Sequence, residues 1–168
     1  MLVINTINNT VIMADSNATY SQIHIQLIFA VKFRDSIIKT HWKEELYRYI
    51  TGIVQNNNHK LLCINGMPDH IHILIGLRPN QSISELVNQI KSNSSKWINE
   101  SRFSASRFEW QKGYGVFSYG KSQISNVINY INNQEIHHQK KSFKDEYLEF
   151  LNKFEVEFNE EYIFNELM

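Results

Sequence analysis

"HKLLCINGMPDHIHILIGL", residues 59–77, contains the turn on which the fold depends. Gly66-Met67-Pro68-Asp69 has the chemistry of a tight connection, and the runs on either side read as two strands of a hairpin. In the second run, side chains alternate between faces. Ile71, Ile73, Ile75 and Leu77 form an all-apolar face, which reads as a core face. His70, His72, Leu74 and Gly76 form the other. Two imidazoles on one strand face make a platform for a metal ion, but His-x-His on a strand is also read as two partly exposed imidazoles.

Upstream, "YSQIHIQLIFAVKFR" (residues 20–34) has apolar residues at Ile23, Ile25, Leu27, Phe29, Val31 and Phe33, a long strand with one buried face. "THWKEELYRYITGIVQNNN" (40–58) spaces Trp42, Leu46, Tyr49, Ile50 and Ile53 as a helix does and ends in an Asn run. Downstream, Ser82-x-x-Glu85 is a capping box opening a helix through "SISELVNQIKSNSSKWI". "GYGVFSYG" (113–120) is a short strand. "SQISNVINYINNQEIHHQKK" (122–141) is helical, with Ile124, Val127, Ile128 and Ile131 on one face, and Ser142 caps a further helix. The order β-α-β-β-α-β-α predicts an α+β fold of the ferredoxin-like, RRM-like split βαβ type: an antiparallel sheet, helices on one face, and a helix pair at the C-terminus. On this reading the other sheet face stands open and carries His70 and His72.

The 168 residues suggest one domain spanning 19–151, between a poorly ordered extension (1–18) and an acidic tail helix (152–168). The first twelve residues show neither alternation nor a helix cap and are expected to be dispensable, with Met13 as a candidate start. Hydrophobic residues make up 42% of the chain, enough for a core. The single cysteine, Cys63, gives neither a disulfide framework nor a CxxC metal site and points to the cytosol. No apolar run reaches membrane-spanning length, and no secretory leader is recognisable. The formal net charge is zero, but its distribution is uneven: eight acids against Lys153 alone from Asp145 onward give −7, and the rest carries +7. A basic body is compatible with phosphate binding, and an ordinary solvated surface with an acidic helix explains the same charges.

In "NYINNQEIHHQKK" (129–141), Tyr130 and Gln134 are four apart and share a helix face, which His137 and Lys141 continue. Each residue alone has a plain structural explanation: a tyrosine at the core margin, a solvated glutamine, a surface His-His pair.

Taken together and in order, these blocks resemble the single-tyrosine HUH (His-hydrophobic-His) transposases of small bacterial insertion sequences, the TnpA-like proteins, whose wider group includes the REP-associated tyrosine transposases. The resemblance runs from about Thr19 to Leu151, through "MPDHIHILIGL", "SISELVNQIKSNSSKWIN", "FEWQKGYGVFSYGKSQI" and "YINNQEIHHQKKSFKDEYLEFL". It implies Tyr130 as the catalytic nucleophile, and His70, His72 and Gln134 as ligands of a divalent Mg²⁺ or Mn²⁺ ion. It also implies cleavage and rejoining of single-stranded DNA at hairpin-bearing element ends through a 5′-phosphotyrosine. One tyrosine per chain cannot exchange two ends, so a homodimer is expected, in the cytoplasm and on the nucleoid when bound to DNA. Asp69 is read either as a partner of an imidazole or as a turn cap. Lys91, Lys96, Arg102, Lys112 and Lys121 are candidate DNA contacts, and Trp97, Trp110 and Tyr114 are either stacking surfaces or core. Competing readings are a metal-dependent hydrolase, a non-catalytic RRM-like reader of single strands, and a non-mobile relative with the same chemistry.

Overall fold

Met67 pairs with His70 and Gly66 with Ile71, closing an antiparallel hairpin around Pro68 and Asp69. Only glycine fits at position 66. A Cβ there would stand 2.2 Å from the carbonyl oxygen of His70 and 2.7 Å from Ile71 Cα. The computed structural model describes residues 20–34, 37–139, 141–159 and 163. The strands are β1 (Ile23–Ala30), β2 (Lys60–Met67), β3 (His70–Leu77) and β4 (Gly115–Tyr119). The helices are α1 (Thr40–Asn56), α2 (Ile83–Glu100), α3 (Ile124–Asn132), α4 (Gln134–His138) and α5 (Phe143–Lys153). The strands form one antiparallel sheet in the order β2-β3-β1-β4, the split βαβ arrangement that the element order predicts.

Alternation sorts the side chains as expected on the first sheet face. Leu27 and Phe29 of β1 and Ile71, Ile73 and Ile75 of β3 pack under Trp42, Leu46 and Ile50 of α1 and Leu86 and Ile90 of α2. Ser82 caps α2 as expected, its Oγ accepting from the Glu85 amide at 3.2 Å.

The second face is not open. Ile28, Ala30 and Phe117 are covered by Phe143, Phe150 and Leu151 of α5. Cys63 and Leu74 are covered by Ile124, Val127 and Ile131 of α3. The reason is visible in the residues. A face carrying Ile28, Leu74 and Phe117 gains about 1.5–3 kcal/mol for each such side chain buried, and α3 and α5 bring the apolar stripes that bury them. His70 and His72 therefore lie inside the protein, between sheet and helices.

Two boundaries differ from expectation. β1 begins at Ile23 and ends at Ala30, where Val31 pairs instead with Trp110 as an isolated bridge. The helix through 122–141 breaks at Asn133 (φ −96°, ψ 21°). Asn133 donates its side-chain amide to the Asn129 carbonyl at 2.8 Å, and Asn65 of β2 donates to the Ile131 and Asn132 carbonyls at 2.9 and 3.2 Å. The Asn65 side chain thus takes over two carbonyls, those of Ile131 and Asn132, that a continuous helix would have used. Trp110 falls on the core side of its alternative: it is buried, and its Nε1 donates to Ser94 Oγ at 2.9 Å. Trp97 stacks on Tyr49 with ring centroids 4.8 Å apart.

The acidic tail helix expected over 152–168 is not seen over 154–159: α5 ends at Lys153, 154–155 form a turn and 156–159 are not helical, while 160–162, 164–168 and 1–19 lie outside the described residues. Among the described residues, no helix is long and apolar enough to cross a membrane.

Candidate metal centre and tyrosine site

β3 carries His70 and His72 opposite Ala30 and Ile28 of β1, and both imidazoles are fully buried. His70 Nδ1 donates to Asp69 Oδ1 at 2.8 Å. Burial pushes the Asp69 carboxyl up, but its hydrogen bond to His70 outweighs that and holds it below its usual range. With its proton on Nδ1, His70 keeps a lone pair on Nε2. His72 Nδ1 is 2.9 Å from the Gln26 side-chain amide, whose other end meets the Tyr119 hydroxyl, also at 2.9 Å. Both contacts survive if the Gln26 amide is turned over. In that orientation its oxygen accepts from His72 Nδ1–H, its NH₂ donates to the Tyr119 oxygen, and His72 Nε2 carries a lone pair.

Facing these imidazoles is Glu146 of α5, 2% exposed. Its Oε2 lies 3.5 Å from His72 Nε2, 3.7 Å from His70 Nε2 and 3.2 Å from His138 Nε2. Its Oε1 receives the Tyr130 hydroxyl and, at 3.1 Å, the Gln134 side-chain N–H. Burial pushes the Glu146 carboxyl up to about 7, opposed by His70 and aided by Asp69 and Glu149. Burial also drives His72 well below its ordinary value and takes His138 down to about 4, helped by neighbouring His70. The histidines of the cluster whose shifts are resolved are thus held neutral.

Tyr130 and Gln134 meet at one carboxylate oxygen, although they belong to different helices. His137 joins them, its ring 5.2 Å from that of Tyr130. Lys141 pairs with Glu149 of α5. The polar stripe read along one helix is therefore assembled across the Asn133 break. Glu146 was not singled out from the sequence, and His138 entered only as half of a His-His pair read as surface, whereas its side chain is 7% exposed and faces Glu146. A signal for Glu146 existed: it interrupts the apolar stripe of Phe143, Phe150 and Leu151 on α5, where a solvated acid would not sit.

The residues present fit a divalent cation. His70 Nε2, His72 Nε2 and Gln134 Oε1 are buried without a hydrogen-bond partner, an arrangement costing about 1–3 kcal/mol per atom when left unsatisfied. Ligand atoms of His70, His72, His138 and Glu146 all lie within 4.8 Å of one another. Opposite donors around a cation with bonds of about 2.0–2.3 Å stand about 4–4.6 Å apart, so only small side-chain shifts are needed. Beside the cluster is a cavity of about 350 Å³ lined by Tyr119, Asn126, Tyr130, His137, Glu146 and Lys153.

The basic candidates are not gathered at this cluster. Lys91, Lys96 and Lys112 line another cleft, with Arg107 and Trp110. Lys91 Nζ donates to the carbonyls of Gln111, Lys112 and Gly113 at 2.7, 3.1 and 2.7 Å, tying that loop to α2. Arg102 follows α2 with φ 56°, and Lys121 is exposed in the turn leading into α3.

The His-x-His pair thus lies on a central strand of a ferredoxin-like sheet, with a tyrosine on the helix across from it. Residues 19–134 match the sequence family described as "Transposase IS200 like", and the chain belongs to that family of DNA transposases. It is similar to the ISDra2 transposase TnpA of Deinococcus radiodurans, 22% identical over 120 residues, which are 67% of this chain and 84% of that protein. It is also similar to the transposase for insertion sequence element IS200 of Salmonella typhimurium, 25% identical over 114 residues, 64% and 74% of the two chains. Among solved structures, a putative transposase from Deinococcus radiodurans superposes with a TM-score of 0.57 at 22% identity, covering 73% of this chain and 98% of that one. A REP-associated tyrosine transposase bound to a REP hairpin gives 0.56 at 15% identity, covering 75% and 74%. His138, Glu146 and all of α5 lie beyond the matched segment.

Proposed function

We propose that this transposase cleaves and rejoins single-stranded DNA with Tyr130 as nucleophile, beside a divalent Mg²⁺ or Mn²⁺ ion held by His70, His72 and Gln134. One observation carries the reading: the Tyr130 hydroxyl and the Nε2 atoms of His70 and His72 face the two oxygens of a single buried carboxylate. The nucleophile and the donor cluster are therefore one site. When bound, the cation supplies charge neutralisation and polarisation at a non-bridging phosphate oxygen.

The chain's own residues do the rest. The Tyr130 hydroxyl points at Glu146 Oε1, so the acceptor for its proton is in place as the phenolic oxygen attacks phosphorus. The phosphorus–oxygen bond to the departing 3′ oxygen breaks, that oxygen takes up a proton from water and leaves as a 3′-OH, and the 5′-phosphate stays on Tyr130. Rejoining is the reverse attack by a 3′-OH and needs no nucleotide triphosphate, because the phosphoester bond energy is retained. Asp69 orients His70, and Gln26 orients His72. The DNA strand reaches Tyr130 through the 350 Å³ cavity beside it. On this reading Lys121, at the turn into α3, contacts flanking phosphates, while Lys91, Lys96, Arg102 and Lys112 serve duplex or hairpin regions. Two element ends require two copies of Tyr130, which makes the working unit a homodimer.

A sheet-face reader of single strands is disfavoured because α3 and α5 cover the face such a module would use. A hydrolase with an incidental tyrosine is disfavoured by the Tyr130–Glu146 contact. The test is incubation with single-stranded DNA from the element flanks and Mn²⁺, followed by a denaturing protein gel. The wild type gives a protein–DNA band and Tyr130→Phe gives none. A band from the Phe variant overturns the assignment.

A further inference from the structure

The segment that follows the family-matched residues does more than cover the sheet: α5 brings a carboxylate, and the end of α4 an imidazole, into the histidine cluster. We propose that Glu146, through Oε2, and His138, through Nε2, are direct ligands of the divalent cation together with His70 and His72. The chain's own C-terminal segment thereby closes the metal site. This inference rests on the reading of His70 and His72 as a metal-binding pair.

The hydrogen bonds around the cluster fix where its lone pairs point. His138 Nδ1 lies 2.9 Å from the backbone carbonyl of Lys141, which can only accept. The proton therefore sits on Nδ1 and the lone pair on Nε2. Asp69 imposes the same tautomer on His70. Both Nε2 atoms, and that of His72, surround Glu146 Oε2 at 3.2–3.7 Å. His138 Nε2 and Glu146 Oε2 share a hydrogen bond at 3.2 Å, and a cation in place of the shared proton lets the three Nε2 atoms and the carboxylate oxygen act as ligands of one centre.

The placement is rigid. Ser142 Oγ caps α5 through the Asp145 amide at 3.2 Å. Phe143, one turn before Glu146, stacks on the His70 ring with centroids 4.1 Å apart. Phe150, one turn after, lies edge-on to Tyr130 at 5.8 Å. The carboxylate is thus clamped between the two aromatic contacts that dock α5 on the site. Its second oxygen, Oε1, stays with the Gln134 amide and the Tyr130 hydroxyl, so one carboxylate links the cation to the nucleophile. In this arrangement Gln134 also positions Glu146.

The experiment is Mn²⁺ binding by the full chain, followed by isothermal titration calorimetry and by electron paramagnetic resonance of the free ion, with no DNA present. The variants are Glu146→Gln, Glu146→Asp, His138→Ala and His70→Ala. Wild type binds, and His70→Ala loses binding. Glu146→Gln and His138→Ala each weaken affinity about tenfold or more, and Glu146→Asp retains part of it. Far-UV circular dichroism confirms that each variant is folded. Should Glu146→Gln fail that check, Glu146→Asp and His138→Ala decide. Wild-type affinity in folded Glu146→Gln and His138→Ala, alongside loss in His70→Ala, overturns the inference and leaves the histidine pair standing. Tighter binding in Glu146→Gln also overturns it, since the carboxylate would then be a plug competing with the ion. Unchanged binding in His70→Ala itself removes the underlying reading.

Discussion

Asp69 Oδ1 accepts the Nδ1–H of the adjacent His70 at 2.8 Å, so the turn residue of the hairpin decides which nitrogen of the strand's first histidine is free. Removing that acceptor by Asp69→Ala releases both the tautomer and the ring orientation. Mn²⁺ affinity is expected to fall about 10- to 100-fold by calorimetry, with the fold unchanged. Asp69→Asn retains an acceptor oxygen and is expected to lose less. Equal affinity in Asp69→Ala and the wild type would show that the contact is only a turn cap.

Gly66 is held against the backbone of His70 and Ile71, where no Cβ fits. Gly66→Ala is expected to destabilise the protein by about 1–3 kcal/mol, as overpacking does, and to lower the melting temperature by several degrees. Because the displaced strand residue is His70, metal affinity should fall with it. A variant with unchanged melting temperature would mean that the hairpin tolerates spreading at the turn.

Tyr130 meets Glu146 of its own chain, beside its own His72. Mixing Tyr130→Phe chains with His70→Ala chains is therefore expected not to restore cleavage, while light scattering reports a dimer. Recovery of cleavage in the mixture would show that the tyrosine serves the partner's histidines, and a monomer would refute the dimer itself.

Cys63 is buried, its Sγ lies 3.1 Å from Asn132 Oδ1, and burial pushes its thiol up, partly offset by the Ile64 backbone. A native thiol that holds its proton longer than the unfolded one adds stability below the unfolded value, and that stability is lost as pH rises through the native value. Alkylation by iodoacetamide at pH 8.5 should accordingly be at least about tenfold slower in the native protein than in urea. The difference should narrow as the pH is raised. Equal rates would place the thiol in solvent.

The sequence by itself determined the strands, their faces and the hairpin. Alternation with period two and helical spacing are local properties, and Ile71, Ile73 and Ile75 sort to one side whatever lies around them. It also determined that His70 and His72 share a face, and that Tyr130 lies near Gln134. Only the tertiary structure decided what that face meets. The sheet face carrying the histidines is closed by α3 and α5, because Ile28, Leu74 and Phe117 on it are apolar and must be buried somewhere. The helix bearing Tyr130 breaks at Asn133, because Asn65, distant in sequence, takes its last carbonyls. Glu146 counts in sequence as one more acid in an acidic segment. Its carboxylate reaches His70, seventy-six residues earlier in the chain, because Phe143 and Phe150 dock α5 with that side inward. Contacts between residues so far apart depend on packing, which no local period records.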